Sequence, residues 1–336
     1  MTNCHIVTLI PDANYRSMIT PETDALLDTL GDVRRATGDR QAVTQQAPEL
    51  LREAEVVLTG WGTPALQEAW LEQAPALKLI GHCAGSVRGI IPPSVFGRGV
   101  ALVHAAPIIA DAVAEFCVAL ELLWLRRIHE ISRDLKASGD WGAMKRLGLE
   151  GHLLAAQPVG LVGSGYVAQR HIRLLRAFEP RIRVADPFLT AERARELGVE
   201  RASMEEVFGE STVIAVHVPK TPETHHLIGA DLLKRIQPGA VLIQTSRSWV
   251  MDQEALLREL ATGRFFAALD VFDREPQPAE SPFYQFDNVI VTPHIAGGTK
   301  ESYARQGRAM AEEIERFGRG EPLRYQIQAD RFDQMA

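Results

Sequence analysis

Three side chains of different chemical character stand just beyond predicted strands in the second half of the chain. They are Arg247, His294 and a carboxylate, for which Asp270 directly after its strand and Glu275 a few residues on are the candidates. An arginine binds a carboxylate through paired hydrogen bonds, and a histidine partnered by a carboxylate can give a proton to an oxygen that gains negative charge. Together the three residues predict a site that binds an organic anion and protonates it.

Each of these residues also has an ordinary interpretation when it is taken alone. His294 would then be a loop histidine, Arg247 a surface cation and Glu275 a solvated residue before a turn proline. Ligands of open α/β sheets collect beyond the carboxyl ends of the strands, so their shared position favours catalysis. Hydride transfer to a 2-oxo acid needs these residue types: a cation for the carboxylate, an acid for the developing alkoxide, and a carboxylate that keeps this acid charged.

A glycine turn in residues 157–178 (QPVGLVGSGYVAQRHIRLLRAF) predicts a dinucleotide site. A short apolar run comes first, and apolar residues at helical spacing follow. Gly163 would form the tight turn, Gly165 would let the backbone approach a diphosphate, and Ala168 would allow close packing of the helix on the strand. The alternative is an ordinary turn between a strand and a helix.

Asp186 supports the dinucleotide interpretation and indicates which dinucleotide is bound. It ends a second predicted strand, about twenty residues beyond the glycines, where an acidic side chain holds the ribose hydroxyls of NAD. Its charge would repel the 2′-phosphate of NADP, and residues 187–189 contain no arginine that could bind this phosphate. The sequence therefore predicts NAD as the cofactor.

An alternating α/β pattern runs along the chain and predicts two doubly wound units. The predicted strands are 4–10, 55–58, 77–81, 158–162, a strand near Ile182, 212–216, 240–244, 265–269 and 288–291. The predicted helices are 21–30, 65–73, 110–131, 190–197, 203–208, 252–261 and 310–317, with N-caps at Thr20, Ser203 and Asp252. A long weakly structured segment, 138–156, is predicted to be an extended arm.

Composition limits the class of protein. The 336 residues, of which 46% are hydrophobic and 24% charged, are enough for two globular domains. The longest apolar stretch, 112–125, contains Glu115 and Glu121 and is too short to cross a bilayer, and the N-terminus does not have the pattern of a signal peptide. We therefore expect a cytoplasmic protein without membrane association.

Charge and cysteine content exclude two further classes of site. The net charge is −7 and no basic stripe stands out, which argues against nucleic-acid binding. Cys4, Cys83 and Cys117 show no CxxC spacing, and the ten histidines form no HExxH motif and no close pair except His225-His226. The sequence thus predicts neither a disulfide framework nor a metal site.

The sequence closely resembles the D-isomer-specific 2-hydroxyacid dehydrogenase family over nearly its whole length. The matching stretches are LKLIGHCAGSVRGI (77–90), AVAEFCVALEL (112–122), VGLVGSGYVA (159–168), ADP (185–187), HVPKTPETHHLIG (217–229), LIQTSRSWVMDQEAL (242–256), ALDVFDREP (268–276) and VTPHIAGGT (291–299). The resemblance implies a flavodoxin-like substrate domain at 1–106 plus 297–336. It also implies a central Rossmann NAD-binding domain at 107–296, and a homodimer whose arm is 138–156.

Site residues follow from the resemblance position by position. Arg247 would bind the carboxylate and carbonyl of the oxo acid, His294 would be the acid/base, and Glu275 would be its partner. Asp270 would bind the nicotinamide carboxamide, and the backbone at Ala84 and Gly85 would donate to the substrate carboxylate. The cofactor site so implied consists of Gly163, Gly165, Tyr166, Val167, Asp186, His217, Val218, Pro219, Thr224, Thr245, Ser246, Arg247, Asp270, His294 and Gly297.

Two positions depart from the family pattern. Two alternatives are open for each of Arg88 and Trp61, the residues that would select the substrate. Ser248 stands where the family usually has glycine, and Arg88 stands where asparagine or aspartate is commoner. Arg88 would lie at the mouth of the substrate pocket or pair with a surface acid. Trp61 would form a wall of that pocket or be a surface aromatic residue.

The predicted activity is the NAD-dependent interconversion of a 2-oxo acid and its D-2-hydroxy acid. A relative that oxidises another small anion, such as phosphite or formate, is one alternative. A second is an NAD-sensing binding protein similar to the transcriptional corepressors that resemble this family, because these keep the same three residues. The sequence shows no peptide-docking extension or disordered tail that would favour the second alternative.

Overall fold

The computed structural model describes residues 4–142 and 150–334. The chain divides into two compact units, Met1–Ala110 together with Gly298–Ala336, and Asp111–Gly297. Each unit is built on a sheet whose paired strands are all parallel. The predicted α/β class with two doubly wound sheets is confirmed, while the roles assigned to the two units stay predictions.

The unit formed by both ends of the chain contains a five-stranded sheet. Its strands are β1 (Cys4–Thr8), β2 (Gly31–Arg35), β3 (Val56–Thr59), β4 (Leu79–His82) and β5 (Ala101–His104). Their order is β2-β1-β3-β4-β5, which is the flavodoxin-like order. Every residue of β3 and β4 is buried, as expected of central parallel strands that helices cover on both faces.

Side-chain N-caps start three of the helices described in this unit. The helices are α1 (Asp12–Met18), α2 (Pro21–Leu30), α3 (Arg40–Leu51), α4 (Glu68–Glu72), α5 (Ser94–Gly97) and α13 (Lys300–Gly318). The Thr20 side chain caps α2 by accepting from the N–H of Thr23, and a proline occupies the first turn. The predicted bounds and cap of α2 are confirmed, whereas α4 is shorter and α13 longer than predicted.

The central unit contains a seven-stranded sheet. Its strands are β6 (Val159–Val162), β7 (Ile182–Ala185), β8 (Glu200–Arg201), β9 (Val213–Val216), β10 (Val241–Gln244), β11 (Phe266–Leu269) and β12 (Val289–Val291). Their order is β12-β11-β10-β9-β6-β7-β8. The chain moves outward from β6 to β8 and returns on the other side of β6 at β9, so the topological switch point lies between β6 and β9.

Side-chain N-caps start three of the helices described in the central unit. The helices are α6 (Ala106–Leu125), which starts just before the unit boundary, α7 (Ile128–Ser138), α8 (Tyr166–Leu175), α9 (Ala191–Leu197), α10 (Met204–Glu210), α11 (Ala230–Leu233) and α12 (Gln253–Leu260). Ser203 and Glu206 form a capping box at α10, and Asp252 caps α12 through the N–H of Ala255. Both predicted N-caps are confirmed.

The single helix predicted over 110–131 is wrong, because the chain turns between α6 and α7. Arg127 has a left-handed φ of 51° at the junction. The carbonyl of Leu125, freed by this turn, accepts from the N–H of His152 at 2.8 Å. Of the predicted arm 138–156, residues 143–149 lie outside the described part of the chain, and Leu154–Ala156 forms a 3-10 turn.

Among the described residues, no helix is both long and apolar enough to cross a membrane.

Two buried histidines at neighbouring strand ends predict a loss of stability in acid. His82 and His104 are register partners at the ends of β4 and β5, and each is 1% exposed. Burial lowers the pKa of His82 to about 3 and that of His104 to about 4. Because the unfolded chain binds protons at these histidines first, near pH 6.5, their contribution is complete above that pH and is lost as pH falls towards 4.

We expect His82→Gln to make the free energy of unfolding less sensitive to acid, by about 1.4 kcal/mol per pH unit below pH 6.5. Urea unfolding followed by circular dichroism at several pH values between 7 and 4.5 measures this slope. Gln45→Asn, at an exposed position of the same unit without a titratable group, is the control and should leave the slope unchanged. Equal slopes for His82→Gln and the unmodified protein would contradict the prediction.

Candidate active site

One residue follows each of six paired strands at the same level of the central sheet. Val162 pairs with both Ala185 and Val216, and Gln244 pairs with both Val216 and Leu269, so the strands end in register. Leu269 in turn pairs with Val291. The next residues along the six strands are Gly163, Asp186, His217, Thr245, Asp270 and Thr292. This row forms the strand-end edge that the sequence predicted for the cofactor.

The glycine turn has the geometry that dinucleotide binding requires. Gly163 has a φ of 98°, and a Cβ at this position would lie 2.8 Å from the backbone oxygen of His217. At Gly165, the N-cap of α8, a Cβ would meet no atom within 4 Å, so space is open above the first N–H groups of the helix. Ala168 is fully buried. These features fit a diphosphate at the N-terminus of α8.

Asp186 connects the end of β7 with the glycine turn. One carboxylate oxygen accepts from the N–H and the hydroxyl of Ser164, both at 2.7 Å. The other accepts from the N–H of Phe188 at 2.8 Å. The carboxylate is thus fixed beside the turn, where the sequence predicted that it holds a ribose. Phe188, two residues after Asp186, and Tyr166, directly after Gly165, are 83% and 50% exposed and offer aromatic surface.

The loop after β9 folds back on itself. The hydroxyl of Thr224 donates to the carbonyl of Pro219 at 2.7 Å and accepts from the N–H of Thr221 at 2.9 Å. Val218 and Pro219 are half-buried and follow His217 directly. The predicted cofactor residues of this loop therefore belong to one compact turn at the strand-end edge.

Arg247 is held by the turn after β10. Its guanidinium Nη1 donates to the carbonyl of Ser246 at 2.6 Å. The Gln244 side chain accepts from the hydroxyl of Ser246 at 2.8 Å and donates to the carbonyl of Arg247 at 3.0 Å. Burial lowers the pKa of Arg247, and the negative charge of Glu275 opposes this effect. The guanidinium is thus a half-buried cation close to the carboxylate of Glu275.

His294 and Glu275 form the hydrogen-bonded pair that the sequence predicted. Nδ1 of His294 lies 2.8 Å from Oε2 of Glu275, and the two side chains are 42% and 37% exposed. The other carboxylate oxygen of Glu275 accepts from the N–H of Phe272 at 2.9 Å. Because Nδ1 is engaged with Glu275, Nε2 is the nitrogen of His294 that a substrate can reach. The pair is accessible from outside the chain and has a fixed orientation.

Asp270 supports the loop that carries His294, a role that the sequence did not indicate. Its carboxylate is 1% exposed and accepts from the hydroxyl of Thr292 at 2.6 Å and from the N–H groups of Ile295 and Ala296, each at 2.9 Å. His294 has a left-handed φ of 55° within this loop. A non-glycine residue keeps such a conformation only when its surroundings impose it. The buried carboxylate of Asp270 is the group that does so.

Thr245 and Asp270 stand in the row, Ser246 follows Thr245 in the chain, and the half-buried Gly297 ends the unit. Thr245 is 7% exposed, and its hydroxyl lies 3.4 Å from Sγ of Cys117. The fold therefore brings the predicted catalytic and cofactor residues into one unit. Their roles towards ligands stay predictions.

The predicted substrate residues Ala84, Gly85, Arg88 and Trp61 lie in the other unit. Ala84 is buried directly after β4, and the carbonyl of Gly85 lies 3.3 Å from Nδ1 of the buried His104. Arg88 donates through Nη1 to the carbonyl of Asp333 at 3.3 Å, which ties it to the C-terminal 3-10 turn.

Trp61 is 40% exposed, yet it is fixed by two contacts that the sequence did not indicate. Its indole N–H donates to Oε1 of Gln306 at 3.2 Å, and its carbonyl accepts from the Asn14 amide at 2.6 Å. Gln306 lies on α13, is fully buried, and donates to Ser302 at 3.1 Å. Residues 245 positions apart in the chain make this contact, so local patterns could not predict it.

Comparison with known proteins places this geometry in a family. The family model described as "D-isomer specific 2-hydroxyacid dehydrogenase, NAD binding domain" matches residues 118–296. NAD is thus the ligand named for the domain that carries the glycine turn and Asp186, which confirms the predicted cofactor.

Curated relatives and solved structures agree with this match. The chain is 32% identical over 280 residues to the D-3-phosphoglycerate dehydrogenase of Archaeoglobus fulgidus, covering 82% of this chain and 52% of the relative. It is 32% identical over 252 residues to the glyoxylate reductase of Korarchaeum cryptofilum, covering 74% and 76%. The chain spans about half the length of the phosphoglycerate dehydrogenases that it matches.

A phosphoglycerate oxidoreductase from Rhizobium etli has a similar solved structure, with a TM-score of 0.80 and 26% identity over 97% of this chain and 99% of that one. The family model covers more than half of the chain, and the sequence relatives extend the match to most of the rest. This chain belongs to the D-isomer specific 2-hydroxyacid dehydrogenase family.

Proposed function

We propose that the protein reduces a 2-oxo acid to its D-2-hydroxy acid with NADH and catalyses the reverse oxidation with NAD. The observation that carries this proposal is the contact of 2.8 Å between His294 and Glu275, at the same sheet edge as the glycine turn. A proton donor beside a nicotinamide site suits reduction of a carbonyl group, because the carbonyl oxygen gains a proton as its carbon gains a hydride. The half-buried cation of Arg247 supplies the binding partner for the acid group.

The chain's own residues would perform the steps other than hydride transfer, which bound NADH supplies. Arg247 holds the substrate carboxylate and polarises the adjacent carbonyl through charge-assisted hydrogen bonds. His294 donates its Nε2 proton to the carbonyl oxygen and regains a proton from solvent. Glu275 holds Nδ1 of His294 and stabilises the imidazolium before the proton is transferred. Asp270 keeps the His294 loop in its left-handed turn.

Each unit has a separate role in this proposal. The segments 1–106 and 297–336 would form the substrate domain, in which the backbone N–H groups of Ala84 and Gly85 donate to the substrate carboxylate. Segment 107–296 would be the NAD-binding domain. The relatives named above act on phosphoglycerate and glyoxylate according to their names. We propose a 2-oxo acid larger than glyoxylate for this chain, because Trp61 presents a fixed and exposed aromatic face.

The segment 138–156 is proposed as the arm of a homodimer. On α7 no side chain is buried within the single chain, and Ile128 and Trp141 are 54% and 87% exposed. A partner copy would bury this apolar surface. Sedimentation equilibrium of the unmodified protein and of Trp141→Ser would detect the dimer and its weakening. The expected cytoplasmic location also stays a prediction, for which cell fractionation is the test.

The proposed function is tested by following NADH oxidation with a panel of 2-oxo acids and NAD reduction with phosphite and formate. We expect turnover of one or more 2-oxo acids, with the D-2-hydroxy acid as product, and no turnover of phosphite or formate. Turnover of phosphite or formate alone would contradict the proposal. Tight NADH binding without any turnover would instead favour the NAD-sensing alternative.

Asp186 should determine the preference for NADH. We expect Asp186→Ser to reduce the ratio of kcat/KM for NADH to that for NADPH by about tenfold or more, because the change removes a charge that repels the 2′-phosphate. Ser164→Ala is the matched control, since it removes one contact of the carboxylate but keeps its charge. An equal ratio in Asp186→Ser and the unmodified protein would show that Asp186 does not read the ribose.

Arg247 should dominate binding of the acid group. We expect Arg247→Gln to lower kcat/KM for the best 2-oxo acid by about 10²-fold or more, because each lost hydrogen bond to a charged group costs about 1.5–3 kcal/mol. Arg247→Lys keeps the charge but loses the paired hydrogen bonds, so its kcat/KM should lie between those of Arg247→Gln and the unmodified protein. Arg258→Gln, at an exposed arginine on α12, is the control. Unchanged kinetics in Arg247→Gln would remove Arg247 from the site.

Trp61 should select large apolar substrates. We expect Trp61→Ala to lower the ratio of kcat/KM for 4-methyl-2-oxopentanoate to that for pyruvate by about tenfold, because an apolar contact of this size contributes about 1–2 kcal/mol. Gln306→Leu should lower the same ratio less, since the indole stays but loses its anchor. Arg88→Ala should lower the ratio of kcat/KM for a 2-oxo diacid to that for pyruvate, because Arg88 would add positive potential that attracts the second acid group. An unchanged ratio in Trp61→Ala would show that Trp61 is a surface aromatic residue and does not select the substrate.

A further inference from the structure

Three buried titratable side chains from different elements of the central unit form a continuous chain that the proposed mechanism does not use. Glu121 lies on α6, His171 on α8, and His217 directly after β9. Oε1 of Glu121 is 2.9 Å from Nε2 of His171, and Nδ1 of His171 is 2.9 Å from Nε2 of His217. Glu121 and His171 are fully buried, and His217 is 9% exposed.

A charged carboxylate at Glu121, buried and without a hydrogen bond to the described residues, is stabilised by a positive charge beside it. Neither of its oxygens makes a hydrogen bond with the described residues, and Nε2 of His171 lies at ion-pair distance but off the hydrogen-bond axis. Within the described part of the chain, His171 is the basic group recorded as its partner. An isolated buried carboxylate would cost several kcal/mol. A protonated His171 removes that cost.

Protonation of His171 determines the state of His217. An imidazolium carries a proton on both nitrogens, so Nδ1 of His171 donates and Nε2 of His217 accepts. The imidazole of His217 is then neutral and carries its own proton on Nδ1. Burial, and then the positive charge of His171, lower the pKa of His217 well below its usual value, which is consistent with this assignment.

Two other titratable groups near these three side chains, Cys117 and Asp270, do not supply a competing proton or charge. Burial raises the pKa of the Cys117 thiol to about 12, so the thiol is neutral. The Asp270 carboxylate, which also acts on Cys117, is engaged by the His294 loop. The charge at the centre of the chain is therefore set by Glu121 and His171.

A metal ion is the competing explanation for the same cluster. Cys117, His171 and His217 each offer a ligand atom, and these atoms lie within 4.8 Å of one another. Two nitrogens bound to one tetrahedral zinc are separated by about 3.3 Å, given Zn–N distances near 2.0–2.1 Å. The observed 2.9 Å between the histidines is a hydrogen-bond distance. The geometry thus favours a shared proton over a shared cation.

His217 lies where the end of the sheet meets the glycine turn. It follows β9 beside the switch point, and its N–H donates to the carbonyl of Val162 at 2.8 Å. Its own carbonyl lies against Gly163, where a Cβ would be only 2.8 Å away. His171 lies on α8, the helix that begins at the glycine turn. The chain of three side chains therefore links α6, α8 and the end of β9 around this turn.

We propose that Glu121 and His171 are positioning residues for the cofactor edge: their buried ion pair fixes the tautomer and orientation of His217 beside the glycine turn. The effect on NADH binding rests on the proposed function of this edge, whereas the ion pair does not. Without the charge of Glu121, His171 loses its proton and either histidine nitrogen can donate. The hydrogen bond between His171 on α8 and His217 after β9 then has two possible directions, where the ion pair allowed one.

The charge states are tested by nitrogen NMR on cofactor-free protein labelled with ¹⁵N-histidine at pH 7.5. We expect His171 to show the two similar shifts of an imidazolium and His217 to show a protonated Nδ1 with a bare Nε2. His171→Gln and His217→Gln assign the signals. In Glu121→Gln, which keeps the shape of the side chain, we expect the His171 signal to become that of a neutral imidazole. A neutral His171 in the unmodified protein would overturn the proposal, and so would an unchanged spectrum in Glu121→Gln.

NADH titration followed by nucleotide fluorescence tests the positioning effect. We expect Glu121→Gln and His171→Gln to raise the Kd for NADH roughly threefold to tenfold, the equivalent of one well-made hydrogen bond. His5→Gln is the control and should leave the Kd unchanged. An unchanged Kd in both variants would overturn the positioning role, and one equivalent of zinc in the purified protein that is lost in Cys117→Ser would overturn the ion pair.

These outcomes are separate from the test of the proposed function. The NMR spectra do not depend on turnover, so a protein that failed to reduce any 2-oxo acid would still report the charge of His171. Conversely, an active enzyme with a neutral His171 would leave the reaction assignment intact and remove only the ion pair.

Discussion

Parallel pairing of six strands in a common register is the constraint on which the rest of the central unit depends. Because β6, β7, β9, β10, β11 and β12 end at one level, the residue that follows each strand joins a single row. A shift of one residue in any pair would turn each side chain of that strand to the other face. The buried apolar runs of these strands resist such a shift, and they thereby hold the glycine turn and the polar side chains at one edge.

Polar side chains at this edge fix the loops that follow the strands. Asp186 fixes the turn before α8, and Asp270 fixes the loop of His294. In each case a carboxylate accepts from backbone N–H groups of a neighbouring loop. Fully satisfied buried polar groups of this kind make one conformation unique. His294 and Glu275 are therefore held in place by the strand ends beside them.

The sequence predicted the features that depend on local chemistry. The cap of α2 and the glycine turn follow from residue types at fixed spacing, whereas the contact between Glu275 and His294 was predicted by the family resemblance. It could not predict features that require distant segments to meet. The turn at Arg127 depends on a carbonyl that binds a residue of the following arm, and Gln306 reaches Trp61 from the far end of the chain. The buried glutamate of α6 appeared only as an interruption of an apolar stretch.

The central claim is that His294 gives the proton that accompanies hydride transfer. The most direct measurement is single-turnover stopped flow: protein saturated with NADH is mixed with its best 2-oxo acid, and NADH absorbance reports the transfer. We expect the rate constant in His294→Gln to fall by about 10²–10⁴-fold. His225→Gln, at an exposed histidine of the same unit, should keep the original rate. Transfer in His294→Gln at a rate within a few-fold of the unmodified protein would contradict the account.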